Sequence, residues 1–149
     1  MEKPVIPIGA DHRGYKLKSL LVAWLRAQGY EARDLGTHSE DRCDAFDFAR
    51  KLAEAFQSTG VQSGVLICGT GQAMAMTANR YRNIRAALCA NAEMAKLTRE
   101  HNDANVLVLG ADFLSPDAAV QCLETFLNTK FLGGRYAERR DKLTALGGL

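Results

Sequence analysis

The sequence predicts an α/β fold built on a parallel sheet covered on both faces. Two observations carry this. Short apolar runs alternate with amphipathic stretches of helical spacing along the whole chain, and repeated strand-and-helix units of this length are how a parallel sheet is assembled. No long linker, low-complexity segment or clear internal repeat interrupts the pattern, and 149 residues suit one domain, residues 1–149, with a real core.

Taken in order, Val5 to Ile8 is strand-like. Lys16 to Gln28 carries Leu17, Leu20, Leu21, Trp24 and Leu25, a helical spacing that Gly29 is placed to end. A short strand follows at Glu31 to Asp34, closed by Leu35-Gly36, and Phe46 to Phe56 is helical again. Gly64 to Cys68 reads as a buried strand, with a helix beginning near Gly71. Ile84 to Cys89 is the fourth strand, Ala92 to His101 a helix and Asn105 to Gly110 the fifth strand. Ser115-Pro116-Asp117 places a capping residue before a proline at the first helical position, opening a helix to about Asn128. Tyr136 to Leu146 reads as a last helix, short enough that it should pack, on a partner subunit for instance.

Bulk properties exclude several function classes. A net charge of +2 gives no reason to expect nucleic acid or an acidic membrane surface. Arg135, Arg139, Arg140 and Lys142 form a basic cluster that reads either as a solvated helix face or as a site for a small anion. The cysteines at 43, 68, 89 and 122 lack metal-site spacing and read as reduced thiols of a cytosolic protein. No leader-like stretch or membrane-length run is present, so a cytoplasmic location is expected.

In an open parallel sheet, ligands bind beyond the carboxyl ends of the strands. Gly9-Ala10-Asp11-His12, Cys68-Gly69-Thr70-Gly71 and Gly110-Ala111-Asp112 fall at such ends; His101-Asn102 lies at a helix end just before the fifth strand. Gly69 and Gly71 allow a tight turn whose N–H groups would hold phosphate, carboxylate or developing negative charge and would favour the thiolate of Cys68. The plainer reading is a buried cysteine and a tight turn. The turn matches neither the dinucleotide fingerprint nor the P-loop. Asp11-His12 suits a capping arrangement as well as a site, His101 suits charge complementarity at a helix C-terminus, and the three histidines, His12, His38 and His101, make no metal motif. A thiolate here would serve as a nucleophile or as a base taking a proton from carbon. Arg135 and Arg139, four apart, suit phosphate, and the cradle suits an enediolate. Phosphorylated-metabolite chemistry and thiol acyl transfer both stay open on the residues alone.

GADHRGYKLK at 9–18, ICGTG at 67–71, TANR at 77–80, IRAALC at 84–89, REHNDANVLVLG at 99–110 and GGRYAERR at 133–140 occur together in this order. By these motifs the chain closely resembles the ribose-5-phosphate isomerase B family, which includes the galactose-6-phosphate isomerase subunits. The resemblance implies a Rossmann-like three-layer sandwich with a five-stranded parallel sheet and a C-terminal helix. It implies a homodimer, with pairing into tetramers as an option, and active sites built from both subunits. The implied reaction interconverts ribose 5-phosphate and ribulose 5-phosphate by proton transfer through a cis-enediolate, with no metal or organic cofactor.

By the same resemblance Cys68 matches the base, and Gly69, Gly71 and Ala73 belong to the backbone cradle. Thr70 assists at the sugar oxygens and His101 aids ring opening. Asp11 and Asn102 bind hydroxyls, while His12, Arg135 and Arg139 hold the phosphate. Cysteine, His101 and both arginines in one chain favour a self-sufficient homomer. Three departures bear on the substrate. Asp44-Ala45-Phe46 replaces the family's Asp-Tyr-Pro, Ala73 replaces the last glycine of the turn, and Asp112 stands where many members have an arginine that reaches phosphate. A changed substrate such as erythrose 4-phosphate, allose 6-phosphate or a free sugar is therefore the alternative expectation, and a non-catalytic sugar-phosphate binder a remoter one.

Overall fold

The computed structural model describes residues 3–58 and 60–149. Its elements are β1 (Val5–Ala10), α1 (Tyr15–Ala27), β2 (Glu31–Asp34), α2 (Ala45–Ala55), β3 (Gly64–Cys68), α3 (Gln72–Ala78), β4 (Ala86–Leu88), α4 (Ala92–Asn102), β5 (Val106–Gly110), α5 (Pro116–Asn128) and α6 (Arg135–Ala145), with a single 3-10 turn at Ala111–Phe113. The strands form one sheet in the order β2-β1-β3-β5-β4, every pairing parallel. The chain steps outward from β1 to β2, then returns across β1 to β3. The crevice between the carboxyl ends of β1 and β3 is thus the switch point at which such sheets bind ligands.

Strand periodicity divides the core into two layers. Ile67, Leu107 and Leu109 face one side with Ile6, Ile8, Leu21, Leu25, Leu123 and Phe126, under α1, α4 and α5. Leu66, Cys68, Val106 and Val108 face the other with Phe48, Leu52 and Met74, under α2 and α3. Alternate residues of β3 and β5 therefore point to opposite faces, and Cys68 belongs to the α2–α3 side. The result is the three-layer α/β sandwich expected, with a C-terminal helix.

The helix starts follow local chemistry. Asp44 accepts the Phe46 N–H, Asn91 the Met94 N–H and Ser115 the Ala118 N–H, each satisfying a donor left free in a first turn. The fourth strand is shorter than its apolar run predicts. Asn79 bonds both backbone groups of Ala86, and Asn105 Oδ1 accepts the Arg85 N–H at 2.7 Å, so side chains occupy the strand's entrance. On α1, Leu20 is left outside at 38% exposure while Lys18 is inside at 1%. The Lys18 ammonium reaches both oxygens of Asp34 at 2.8 Å, and Asp34 also accepts the Gly36 N–H. Gly36 and Thr37 in turn hydrogen-bond to Ala10, so this ion pair fixes the loop beside the end of β1.

The last helix has no buried residue; it lies against α4 and leaves Leu143 and Leu146 largely exposed. Among the described residues no helix is long and apolar enough to cross a membrane.

Candidate active site

At the end of β1 the chain turns through Asp11. Its carboxylate is buried and accepts the N–H groups of Arg13 and Gly14 at 3.0 and 3.1 Å, and its own N–H bonds the Ile67 carbonyl. Asp11 thus closes the turn that leads into α1, whose cap position is Gly14. Gly14 packs on β3 so closely that a Cβ there would lie 2.7 Å from the Ile67 oxygen. This contact brings the β1 and β3 loops together. His12 Nδ1 accepts the Cys43 N–H at 3.3 Å, which in a neutral ring leaves the proton on Nε2. An open cleft of about 770 Å³ runs along this loop, lined by Asp11, His12, Arg13, Arg42, Cys43 and Ala45 among others.

Cys68 ends β3 and is 4% exposed. The chain reverses at once, and the Gly71 N–H points back to the Cys68 Sγ at 3.2 Å. Such a bond strengthens when the sulfur carries charge. Gly71 has φ +79°, and a Cβ on it would fall 2.4 Å from Leu88 Cδ1. Only glycine meets both demands. Thr70 Oγ1 accepts the Gln72 N–H, and Ala73 sits exposed in the first turn of α3, where N–H groups have no carbonyl of their own helix to bond. From β5, Gly110 packs directly on the Thr70 backbone, and the Asp112 N–H bonds the Gly69 carbonyl at 2.9 Å. Burial pushes Cys89 up to about 12 and raises Cys122 too, which removes both from thiolate chemistry.

Asp112 does not stand as a bare charge at this cradle. It pairs with Arg13, whose guanidinium lies over Gly69. The charge that Asp112 puts beside the cradle is thus met by a guanidinium.

His101 and Asn102 end α4 and sit at the opposite, amino end of the sheet. Val106 pairs with Gly64 and Gly110 with Cys68, so four strand steps, about 13 Å, separate the two ends. The His101 ring stacks on Tyr136, with centroids 4.5 Å apart and planes 17° from parallel. Arg135 and Arg139 lie over the same tyrosine at 5.1 and 5.6 Å, and Arg135 also donates to its hydroxyl. Histidine and two arginines are therefore gathered on one exposed patch of α4 and α6. The basic cluster seen in the sequence divides here, because Arg140 turns away to Asp103, which Arg85 and Arg99 also bind. Burial works to raise the Asp103 carboxyl, but hydrogen bonds from Arg140 and Arg99 and the charge of Arg85 hold it below the usual range.

One chain thus assembles two groups: Asp11, His12, Cys68, Gly69, Thr70, Gly71 and Ala73 at the carboxyl ends, and His101, Asn102, Arg135 and Arg139 at the other. It does not bring them together. Sequence reasoning missed two residues that touch these groups, Tyr136 and Arg13. Tyr136 had a signal, an aromatic beside the first of two arginines one turn apart. Arg13 had none, since its contact is with Asp112, distant in the chain.

The chain matches the family model described as Ribose/Galactose Isomerase over residues 6–143. It is 38% identical over 141 residues to ribose-5-phosphate isomerase B of Escherichia coli, covering 95% of each chain. It is 40% identical over 138 residues to a putative sugar phosphate isomerase of Rickettsia bellii, covering 93% of this chain and 96% of that one. Among solved structures, ribose-5-phosphate isomerase B of Clostridium thermocellum superposes with a TM-score of 0.93 at 44% identity, covering 95% of this chain and 96% of the other. The Mycoplasma genitalium enzyme with bound ribulose-5-phosphate superposes with a TM-score of 0.90 at 34% identity, covering 95% of both. With a thiol held in a glycine cradle at the sheet's switch point and this agreement along nearly the whole chain, the protein belongs to the ribose/galactose isomerase family and is an isomerase.

Proposed function

We propose that the protein interconverts ribose 5-phosphate and ribulose 5-phosphate, as a homodimer whose sites each draw on both subunits. The observation that carries the chemistry is the Cys68 sulfur, buried and held by the Gly71 N–H at the end of β3. As thiolate it takes the proton from C2 of the open-chain aldose and, as thiol, returns it to C1. The electron pair left at C2 forms the C1=C2 double bond while the carbonyl pair of C1 moves onto O1, giving an enediolate. The hydroxyl proton of O2 passes to O1, and as the C2 carbonyl forms, the double-bond pair takes the proton back from Cys68 at C1. The backbone N–H groups of the Gly69–Ala73 turn face that negative charge, and Thr70 lies beside the sugar oxygens. No cofactor is called for by steps that move only protons.

The remaining groups belong to the phosphate and to ring opening. His12, with Nε2 protonated, offers a donor in the cleft. His101, Asn102, Arg135 and Arg139 are supplied by the partner. Dimerisation is supported by the absence of any buried residue on α6 and by Met94, Leu97, Leu132 and Leu143, each between 41% and 59% exposed on α4, α6 and the segment before α6. That much apolar surface on two adjacent helices fits a subunit interface.

A second reading keeps the chemistry and changes the sugar. Ala45 lines the cleft where the resemblance places a tyrosine, leaving room for a longer substrate such as allose 6-phosphate. Turnover of the purified protein with ribose 5-phosphate, erythrose 4-phosphate, allose 6-phosphate and free ribose, beside Cys68→Ala, tests both. Highest kcat/KM on ribose 5-phosphate, abolished by the substitution, is expected; a preference for allose 6-phosphate selects the second reading, and undiminished turnover by Cys68→Ala overturns the assignment of the base.

A further inference from the structure

We propose that Arg13 binds the phosphate of the substrate and that Asp112 is the residue that positions it; this rests on the sugar-phosphate reading above. The Arg13 guanidinium lies against the cradle itself. A Cβ built on Gly69 would meet its Cζ at 2.6 Å, its Nε at 2.7 Å and one terminal nitrogen at 2.9 Å. The absence of a side chain at Gly69 is what lets the fork rest on this turn.

Asp112 holds the fork in place. The bond runs from the other terminal nitrogen to one carboxylate oxygen, while Asp112 is itself fixed by its N–H bond to the Gly69 carbonyl. Three elements, the β1 loop, the β3 turn and the β5 loop, therefore converge on one guanidinium. A guanidinium has five N–H donors in a planar fork, and a single bond to Asp112 leaves most of them for a ligand.

The position selects the phosphate over the reacting carbons. Arg13 is 54% exposed at its side chain and lines the same cleft as His12 and Arg42, whereas the Cys68 sulfur is buried behind the turn. A rim cation meets the solvated, doubly charged end of a sugar phosphate. The other carboxylates near it are already engaged: Asp11 accepts two backbone N–H groups and Asp44 caps α2. The Arg13 donors not taken by Asp112 are therefore not claimed by these two carboxylates.

The test uses the full-length protein and inorganic phosphate as a probe, with binding measured by calorimetry and competitive inhibition of turnover alongside. Arg13→Ala is expected to weaken phosphate binding and raise KM for ribose 5-phosphate by about 10- to 100-fold, the range of a charge-assisted contact, with a much smaller fall in kcat. Arg13→Lys, which keeps charge but loses the fork, should fall between. Asp112→Ala should weaken phosphate binding less than Arg13→Ala does, and the Arg13→Asp/Asp112→Arg exchange should recover part of it, a rescue that a merely structural pair would not give. Unchanged phosphate affinity in Arg13→Ala with native circular dichroism would overturn the proposal. If wild-type protein fails to turn over ribose 5-phosphate, the substrate reading fails, while the calorimetric comparison still decides the role of Arg13.

Discussion

Lys18→Met offers a direct measure of how the first loop of the site is held. The substitution keeps most of the buried stem and removes the ammonium, which sits at 2.8 Å from both Asp34 oxygens. Breaking a buried ion pair from one side costs about 3–5 kcal/mol. Here the Asp34 side chain is 25% exposed and keeps the Gly36 N–H, so water and that donor offset part of the loss, and about 2–3 kcal/mol is expected. At an m-value of about 2 kcal/mol/M that moves the urea midpoint down by at least about 1 M, at fixed protein concentration. The effect has a pH signature. Burial acts to raise the Asp34 carboxyl, but the Lys18 hydrogen bond, the Gly36 N–H and the nearby charges hold it below its ordinary value of 3.8. A carboxyl lowered in the folded state adds stability above its unfolded value, and loses it as pH falls through the folded one. The gap between wild type and Lys18→Met should therefore be full at neutral pH and narrow below about pH 4. A loss under about 0.5 kcal/mol at neutral pH, or a gap that stays constant into acid, would refute the reasoning.

Three further outcomes follow from the same structure. Asp103→Asn removes the shared partner of Arg85, Arg99 and Arg140 and should cost about 2 kcal/mol in urea denaturation, again shrinking below about pH 4 because that carboxyl is also held low. Gly71→Ala forces a side chain into a left-handed turn against Leu88; a loss of about 1–3 kcal/mol is expected, with kcat falling more than KM rises as the cradle shifts off the sulfur. Tyr136→Ala releases His101, Arg135 and Arg139 together and should raise KM for a sugar phosphate about tenfold, while Tyr136→Phe, which keeps the stack, should recover most of it in steady-state kinetics.

The strand-and-helix order was legible because apolar periodicity and capping chemistry agree: Glu31–Asp34 and Gly64–Cys68 have the bounds expected, and Pro116 opens its helix. Where the reading slipped, tertiary pairing overrode local character. Lys18 reads as a surface residue until Asp34 is brought to it, and the Asn79 and Asn105 side chains shorten a strand whose run is apolar but for Arg85. The site was legible in the same degree. Cys68, Gly71 and Asp11 announce themselves through turn chemistry at strand ends. The Arg13–Asp112 pair joins residues 99 apart in sequence and sets a guanidinium against the carboxylate beside the cradle, which no local pattern encodes. Nor does periodicity say that His101 lies at the opposite end of the sheet from the Cys68 of its own chain.

That separation is the central claim, and mixed dimers test it most directly. Cys68→Ala and His101→Ala/Arg139→Ala chains, each inactive alone, are co-refolded in equal amounts and assayed on ribose 5-phosphate. Random pairing makes about half the dimers mixed, and each mixed dimer holds one intact site beside one doubly damaged one. Recovery of about one quarter of wild-type activity per chain is predicted. No recovery, with mixed dimers demonstrated by mass, would mean that Cys68 and His101 work within the same chain, and would contradict the account.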